Sequence, residues 1–524
     1  MKTKLFLLIA ALPLLLLGGC ESFLDKESYT DQEEEVLQTA EGIEALLSGV
    51  YNLITDPYYY GRAIYGYEAA KGTDFFVRQS SGNNYERENR YAESTSSAGY
   101  AGSTWRTIYS VIRTATDLLE HIDAADLSET AARRVRGEGT ALRALAYFDL
   151  MRLFAYPPRF SMPDGAEYDE SYRWGVPIIR DMDMVNNVYK YDIRRETAET
   201  TFNYIEEELL AAQALLEGIE TEQGHINYVA TTALLARLYL YESRWEDVVT
   251  QGELAVRAAQ GRYALLDYDK YKKNYYQPFN SENIWELKAS NTDNNGANDL
   301  NYMVRKPTID DPSSDQDGKV SQDVGYGAYG LLPGAQSRLN AREGNAADVR
   351  SYLICDLGVS SYKGCRKYIG DGHPAIHNTP IVRLPELYLT LAEAYLNLED
   401  RDSANSYYKL LRAARVQGEG FLAADIEGCK SELYDERRRE LILEGHNFWD
   451  YFRRGETMVR NGTTIENINN SNRLTINFGY GSGKSNARQE VIYPIPLGEL
   501  EANVAIRDQQ NPGYDSYDGV FKDN

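Results

Sequence analysis

Positive charge is in short supply in this chain. Fifty-five lysines and arginines face 79 aspartates and glutamates, a net charge of −24. Affinity for nucleic acid rests on basic residues displacing phosphate counterions, so this balance argues against a nucleic-acid binder. It argues equally against adsorption to an anionic membrane surface. Cysteine is scarce too, with four in 524 residues: Cys20, Cys355, Cys365 and Cys429. The three beyond Cys20 are an odd number, which excludes a complete disulfide framework. Cys355 and Cys365 could bridge or stay as buried thiols, and no pair has the close spacing of a zinc or redox site. The five histidines (121, 225, 373, 377, 446) lack metalloprotease spacing. His373 and His377 are four apart, but Pro374 breaks the helix that would align them. No Gly-x-Ser-x-Gly elbow occurs. Paired carboxylates can cleave glycosidic bonds, but with 79 acidic residues pairs arise by chance. No catalytic centre stands out, so the chain is expected not to be an enzyme, with a glycosidase as the less favoured alternative.

What is present begins at the amino terminus. Lys2 and Lys4 precede an apolar stretch, Leu5 to Leu17, and Leu17-Gly18-Gly19-Cys20 follows. The stretch is too short to span a membrane and ends in small residues, as a signal peptide does. The cysteine after the small pair resembles a bacterial lipobox. Residues 1–19 are then a signal peptide, Cys20 carries the acyl chains and residues 20–35 form a polar tether. Two or three acyl chains, at roughly 0.8 kcal/mol per buried methylene, hold such a protein on its membrane. Glu21 follows the cysteine, where an aspartate would argue for inner-membrane retention.

Tyrosine is abundant: 42 residues against 14 phenylalanines and 5 tryptophans. Its ring is apolar and its tip polar, a combination suited to half-wet surfaces that hold polar ligands. The stretch DPYYYGRAIYGYEAAKGTDFFVRQ, Asp56 to Gln79, holds five tyrosines and two phenylalanines without helical or strand periodicity.

Elsewhere the pattern is helical. The apolar spacing predicts helices over Ala40–Ile54, over Thr104–His121, and from near Ser128 up to Pro157 and Pro158. Two later segments align, LLARLYLYESRWEDVVTQGELAVRAA from Leu234 and TLAEAYLNLEDRDSANSYYKLLRAAR from Thr390. They share Leu-Ala-x-x-Tyr-Leu at 235–240 and 391–396, the spacing of a tetratricopeptide-like hairpin. Between them, Asp267–Pro380 is rich in Gly, Asn, Asp and Tyr and has one short predicted strand, Ile284–Lys288. Loops this long usually carry function. Gly325-Tyr326-Gly327-Ala328-Tyr329-Gly330 matches GxGxxG but lacks the flanking strand and helix of a dinucleotide site. Gly481–Ser485 lacks the first glycine of a phosphate loop. Asp315–Gly318 hints at adventitious calcium, but Val324 stands where a calcium loop needs Glu. No cofactor is expected. In Asp435–Gly455, pairs four apart (Asp435 with Arg439, Asp450 with Arg454) are expected on helix faces, with guanidinium forks bridging scaffold helices.

Several of these residues together resemble the SusD/RagB family of Bacteroidetes outer-membrane lipoproteins. They are Cys20-Glu21-Ser22-Phe23-Leu24-Asp25, the run Ala141 to Leu150, Leu384-Pro385-Glu386-Leu387-Tyr388-Leu389 with Ala392-Glu393-Ala394-Tyr395, Glu436 to Gly455, Pro494-Ile495-Pro496, and Gln510-Asn511-Pro512-Gly513-Tyr514. They run in order through the whole mature chain. The resemblance implies a mainly α fold, with tetratricopeptide-like hairpins forming a superhelical scaffold against a loop-rich half with a few short strands. Residues 36–524 then form a single unit with loop insertions at about 56–103 and 267–380. It further implies a cell-surface lipoprotein, anchored through Cys20 in the outer membrane. Such a protein captures an oligosaccharide (a peptide in some members) and delivers it uncleaved to a SusC-like TonB-dependent transporter.

Candidate ligand-binding residues follow from chemistry and position. Flat rings stack on the C–H face of a sugar while polar groups bond its rim. The early candidates are Asp74, Arg78, Asn83, Asn84, Tyr85 and Tyr91; the central ones are Tyr275, Tyr276, Asn298 and Tyr302. Trp285, in the predicted strand, is expected in the core.

Overall fold

The structure, a computed structural model, describes residues 36–78, 84–187, 190–275, 277–290, 292, 294–304, 326–343, 346–356, 363–368, 377–460, 474–477 and 491–520. Cys20, the calcium hint at Asp315–Gly318 and Gly481–Ser485 lie outside these residues. Helix α1, Ala40–Ile54, starts where Thr39 accepts a hydrogen bond from the Gly42 N–H (3.0 Å) and buries Ile43, Leu47, Val50 and Ile54 along one stripe. Helix α2, Ala63–Lys71, occupies the tyrosine-rich stretch that was expected to be irregular. All nine of its residues are buried. A helix enclosed on every side has no polar face, so it shows no amphipathic period. Helix α3, Ala101–His121, begins three residues before its predicted start and packs Ile108, Val111, Ile112 and Leu118 against α1 and against α4, Glu129–Phe154. Ser128 caps α4 by accepting from the Ala131 N–H (3.2 Å), and from Gly137 onward the helix is buried all round.

Helix α5, Ala198–Leu216, lies along α4 and leads to the hairpin α6, Tyr228–Glu242, with α7, Trp245–Ala259. A second hairpin follows from α8, Leu384–Asn397, and α9, Arg401–Val416. The offset that carries Leu235 onto Leu391 also carries Tyr228 onto Leu384 and Trp245 onto Arg401, the first residues of matching helices. It carries Ser243 onto Glu399 as well, and these turn residues adopt left-handed φ values of 61° and 62°. Two unrelated helix pairs would not share a strained turn residue at the same offset. The hairpins stack through α7 and α8, where a Cβ on Gly252 would sit 2.6 Å from the Leu391 side chain. The chain continues into α10, Ile426–Glu440, and α11, Asn447–Arg454. The result is mainly α, with tetratricopeptide-like hairpins as expected.

The central segment contributes short two-stranded ribbons. Six of the described strands, in chain order, are β1 (Phe75–Val77), β2 (Asn283–Leu287), β3 (Tyr329–Leu331), β4 (Ile354–Asp356), β5 (Lys363–Cys365) and β6 (Thr379–Arg383). They pair antiparallel as β1 with β3, β2 with β6, and β4 with β5. The described part of the literal GxGxxG, from Tyr326 onward, therefore runs directly into strand β3. Trp285 is 2% exposed in β2 and donates to the Gly224 carbonyl (3.0 Å), a core residue as expected. In the β4–β5 register Cys355 faces Gly364 and Cys365 faces Ile354. The two cysteines thus point to opposite faces of the ribbon, and they are buried without a disulfide between them.

Ion pairs fasten this irregular half to the helices. Glu440 on α10 meets Arg350 (3.0 Å), Arg383 (3.1 Å) and Arg415 (2.9 Å); Glu282 meets Arg383 (3.0 Å) and Arg415 (2.5 Å). The pairs expected four apart on α10 and α11 give way to others. Arg439 bonds Glu436 (2.6 Å), Arg437 crosses to Asp450 (2.7 Å), and Arg453 grips both oxygens of Glu393 (2.8 and 2.7 Å). The expected forks between helices are there, because buried guanidinium groups reach carboxylates on neighbouring helices that sequence spacing does not reveal.

Candidate ligand-binding site

The early and central segments meet. Phe75, Phe76 and Val77 pair with Leu331, Gly330 and Tyr329, and the Leu332 N–H donates to the Asp74 carbonyl (2.9 Å). A side chain at Gly330 would drive into the Phe76 ring. The Leu300 N–H donates to the Gly61 carbonyl (3.0 Å), and the Asn295 amide donates to the Thr55 carbonyl (2.6 Å). A Cβ on Gly61 would strike that Asn295 amide, so glycine permits the approach.

At this junction the predicted candidates divide. Asp74 is 2% exposed and held between Arg438 (2.9 Å) and Arg338. Burial pushes its pKa up, but the two guanidinium groups outweigh it and hold the carboxyl below its usual range. Tyr85 is fully buried, its ring stacked on Tyr100 at 4.3 Å. Tyr91 is half-buried, donates to the Lys71 carbonyl (2.6 Å) and has the Lys71 Nζ 4.1 Å from its ring centroid. Tyr302 is 7% exposed. Tyr275 lies under the cations of Lys367 (5.8 Å) and Arg383 (5.7 Å). Asp74 and the rings of Tyr85 and Tyr302 are thus enclosed where exposure was expected, while Tyr91 and Tyr275 are half-buried. In a tightly closed junction, ring area and charge are worth more as packing than as display. The stretch that suggested aromatic platforms behaves likewise: Tyr59, Tyr60, Tyr65 and Tyr67 are at most 3% exposed. Their hydroxyls reach inward, Tyr59 to Asp149 (2.8 Å) and Tyr65 to the Pro380 carbonyl (3.1 Å). Asn83 and Tyr276 lie outside the described residues.

Polar candidates fare better at the rim. Asn298 is exposed, Asn84 accepts from the Tyr100 hydroxyl (3.1 Å), and Arg78 donates to the carbonyls of Tyr326 (3.2 Å) and Gly327 (2.8 Å). The accessible rings beside them were not among the predicted set. Tyr58 and Tyr100 are half-exposed with centroids 6.2 Å apart, and Tyr326 is 45% exposed, 6.4 Å from Tyr302. Tyr326 lay in plain view within the GxGxxG match, but nothing in one dimension marks which ring faces out. Among the described residues no three His, Cys, Asp or Glu side chains gather as a metal site. A concavity of about 880 Å³ lies along α3, walled by Trp105, Tyr109, Arg113, Ile193 and Val504. Trp105 itself is 4% exposed and donates to Glu499 (3.1 Å).

Known proteins share this architecture. A family model described as starch-binding and associating with the outer membrane matches residues 22–240, and the SusD family model matches residues 358–514. SusD-like protein P25 of Formosa agariphila is 22% identical, covering 95% of this chain and 97% of its own. A SusD superfamily protein from Bacteroides thetaiotaomicron superposes with a TM-score of 0.77 at 25% identity, covering 90% of this chain and all of the other. A laminarin-binding SusD-like protein superposes with a TM-score of 0.69 at 22% identity, over 91% of this chain and all of its own. With its hairpin scaffold, its ribbons and both family models in sequence order, the chain belongs to the SusD/RagB family.

Proposed function

We propose that the protein captures an oligosaccharide at the junction of its early and central segments and hands it, uncleaved, to a SusC-like TonB-dependent transporter. It does so from the outer-membrane surface, tethered by acyl chains on Cys20. One observation carries the reading: strand pairing brings two distant segments together and leaves Tyr58, Tyr100 and Tyr326 accessible beside Arg78, Asn84 and Asn298. Water competes for every sugar hydroxyl, so hydrogen bonds there yield little net energy and ring contact supplies much of the affinity. The starch-binding description of one family model and the laminarin-binding relative support a glycan over a peptide.

Calorimetric titration with oligosaccharide panels tests this. Tyr58→Ala, Tyr100→Ala and Tyr326→Ala are each expected to weaken binding about ten-fold while the melting temperature holds. Tyr67→Ala, in the core, should cost the ~3–5 kcal/mol of stability typical of a deleted buried aromatic ring and lower the melting temperature accordingly. Unchanged binding in all three surface variants overturns the site. New reducing ends on incubation would identify a glycosidase instead.

A further inference from the structure

We infer that this face selects an anionic oligosaccharide, bearing carboxylate or sulfate ester groups, through Arg62. The inference rests on the glycan reading above and names its ligand class. Arg62 is 4% exposed, one residue beyond the glycine that meets Asn295. Its guanidinium carbon lies 5.3 Å from the ring centroid of Tyr100, 5.7 Å from that of Tyr58 and 6.0 Å from that of Tyr85. Among the described residues no carboxylate lies within ion-pair distance, and its buried Nε has no acceptor. Other buried arginines are treated differently. Arg350, Arg415 and Arg453 meet carboxylates, and Arg195 donates to carbonyls of Gly175 (2.7 Å) and Gln509 (2.6 Å).

Two further groups share this condition. Among the described residues the hydroxyl of Tyr329 has no partner and that of Tyr85 has only the Arg62 guanidinium beside it; both rings are fully buried. A Cβ on Gly66 would lie 2.6 Å from the Tyr85 ring and 2.9 Å from the Tyr329 Oη, so both border one spot. The junction thus gathers a cation and two hydroxyls whose protons remain available to donate, with no carboxylate among the described residues to meet them. Nearby carboxylates are engaged elsewhere: Asp56 accepts from the Tyr58 N–H (2.7 Å), and Glu88 from the Tyr100 N–H (2.9 Å) and the Tyr493 hydroxyl (3.1 Å). A buried cation left without a counter-charge is costly, and ring quadrupoles offset only part of that cost. A ligand acid group would neutralise it, while the sugar carrying that group stacks on the half-exposed rings of Tyr58 and Tyr100. In a chain of net charge −24, such a local cation also gives an anionic glycan a place to land.

The test is calorimetry of the lipid-free protein in low salt with oligogalacturonates, sulfated carrageenan oligosaccharides and neutral laminari-oligosaccharides of equal length. At least one charged series is expected to bind about ten-fold or more tightly than the neutral one, the range of a charge-assisted bond, and to weaken as salt rises. Which charged series binds separates carboxylate from sulfate recognition. Arg62→Met should bring the charged-to-neutral affinity ratio to within about two-fold of one. Tyr85→Phe and Tyr329→Phe, which keep the packing, should each lower that ratio even if Arg62→Met fails to fold. A wild-type ratio near one, or variants that weaken charged and neutral ligands equally, overturns the inference and leaves the glycan reading standing. Binding of no oligosaccharide at all overturns both.

Discussion

Glu68 stands on α2 with 1% of its surface exposed, accepting from the N–H groups of Gly445 (2.8 Å) and Asn447 (3.4 Å). Burial pushes its pKa up to about 8 against these bonds, so at neutral pH the folded protein holds it mostly protonated. A carboxyl whose folded pKa exceeds its unfolded value contributes stability at low pH and loses it as pH climbs through the folded value. Glu68→Gln, neutral at every pH, should therefore gain on the wild type between pH 4.5 and about 8 and hold a constant advantage above. Melting curves across that range check it; an advantage shrinking with pH would falsify the assignment. The tyrosines show what single residues disclose. Their number announced a protein that uses half-polar rings. Tyr59 and Tyr58 are adjacent in sequence, yet one bonds Asp149 in the core and the other lies half-exposed. Composition cannot separate them, because direction depends on what packs opposite.

Helices were legible in proportion to their amphipathicity. Helix α1 matches its predicted bounds because a single buried stripe sets its period. The hairpins were legible because Leu-Ala-x-x-Tyr-Leu recurs, and their caps carry the same logic. Asn227 caps α6 by accepting from the Ala230 N–H (3.0 Å) and donates to the Ile284 carbonyl (2.9 Å) in β2. Asp400 caps α9 by accepting from the Ser403 N–H (3.0 Å) on an exposed turn. Asp400→Ala should cost ~1 kcal/mol, the usual value of a lost cap. Asn227→Ala should cost roughly twice that, since the β2 carbonyl loses its partner too. Equal losses in chemical denaturation would show that the link from α6 to β2 is energetically silent. Helix α2 was illegible for the opposite reason: enclosed on all sides, it has no polar face to announce it.

Across the molecule, the buried ion network holds loops and helices together and sets the acid limit of the fold. Burial raises the Glu436 pKa, but Arg350, Arg439 and Arg412 outweigh it and hold the carboxyl at about 2; Glu440 is likewise held well below its usual range. A lowered carboxylate pKa contributes stability above the unfolded value and loses it as pH falls toward the folded one. Melting temperature should therefore drop steeply from pH 4.5 toward 2. Arg415→Ala, which strips a cation from both Glu282 and Glu440, should cost ~3 kcal/mol or more at neutral pH.

By itself the sequence determined the helical scaffold, the tandem hairpins, the strand through Trp285 and the irregularity of much of the central segment. Each of these is written in a local period, a repeat or a composition. Only the tertiary structure decided that Asp74 and the Tyr85 ring are enclosed, that Tyr58, Tyr100 and Tyr326 keep exposed surface, and that among the described residues Arg62 meets no carboxylate. Exposure and charge pairing are properties of segments brought together from far apart in the chain. Here β1 and β3, separated in sequence by helices α3 to α7 and strand β2, had to pair before any side chain at their junction acquired a direction.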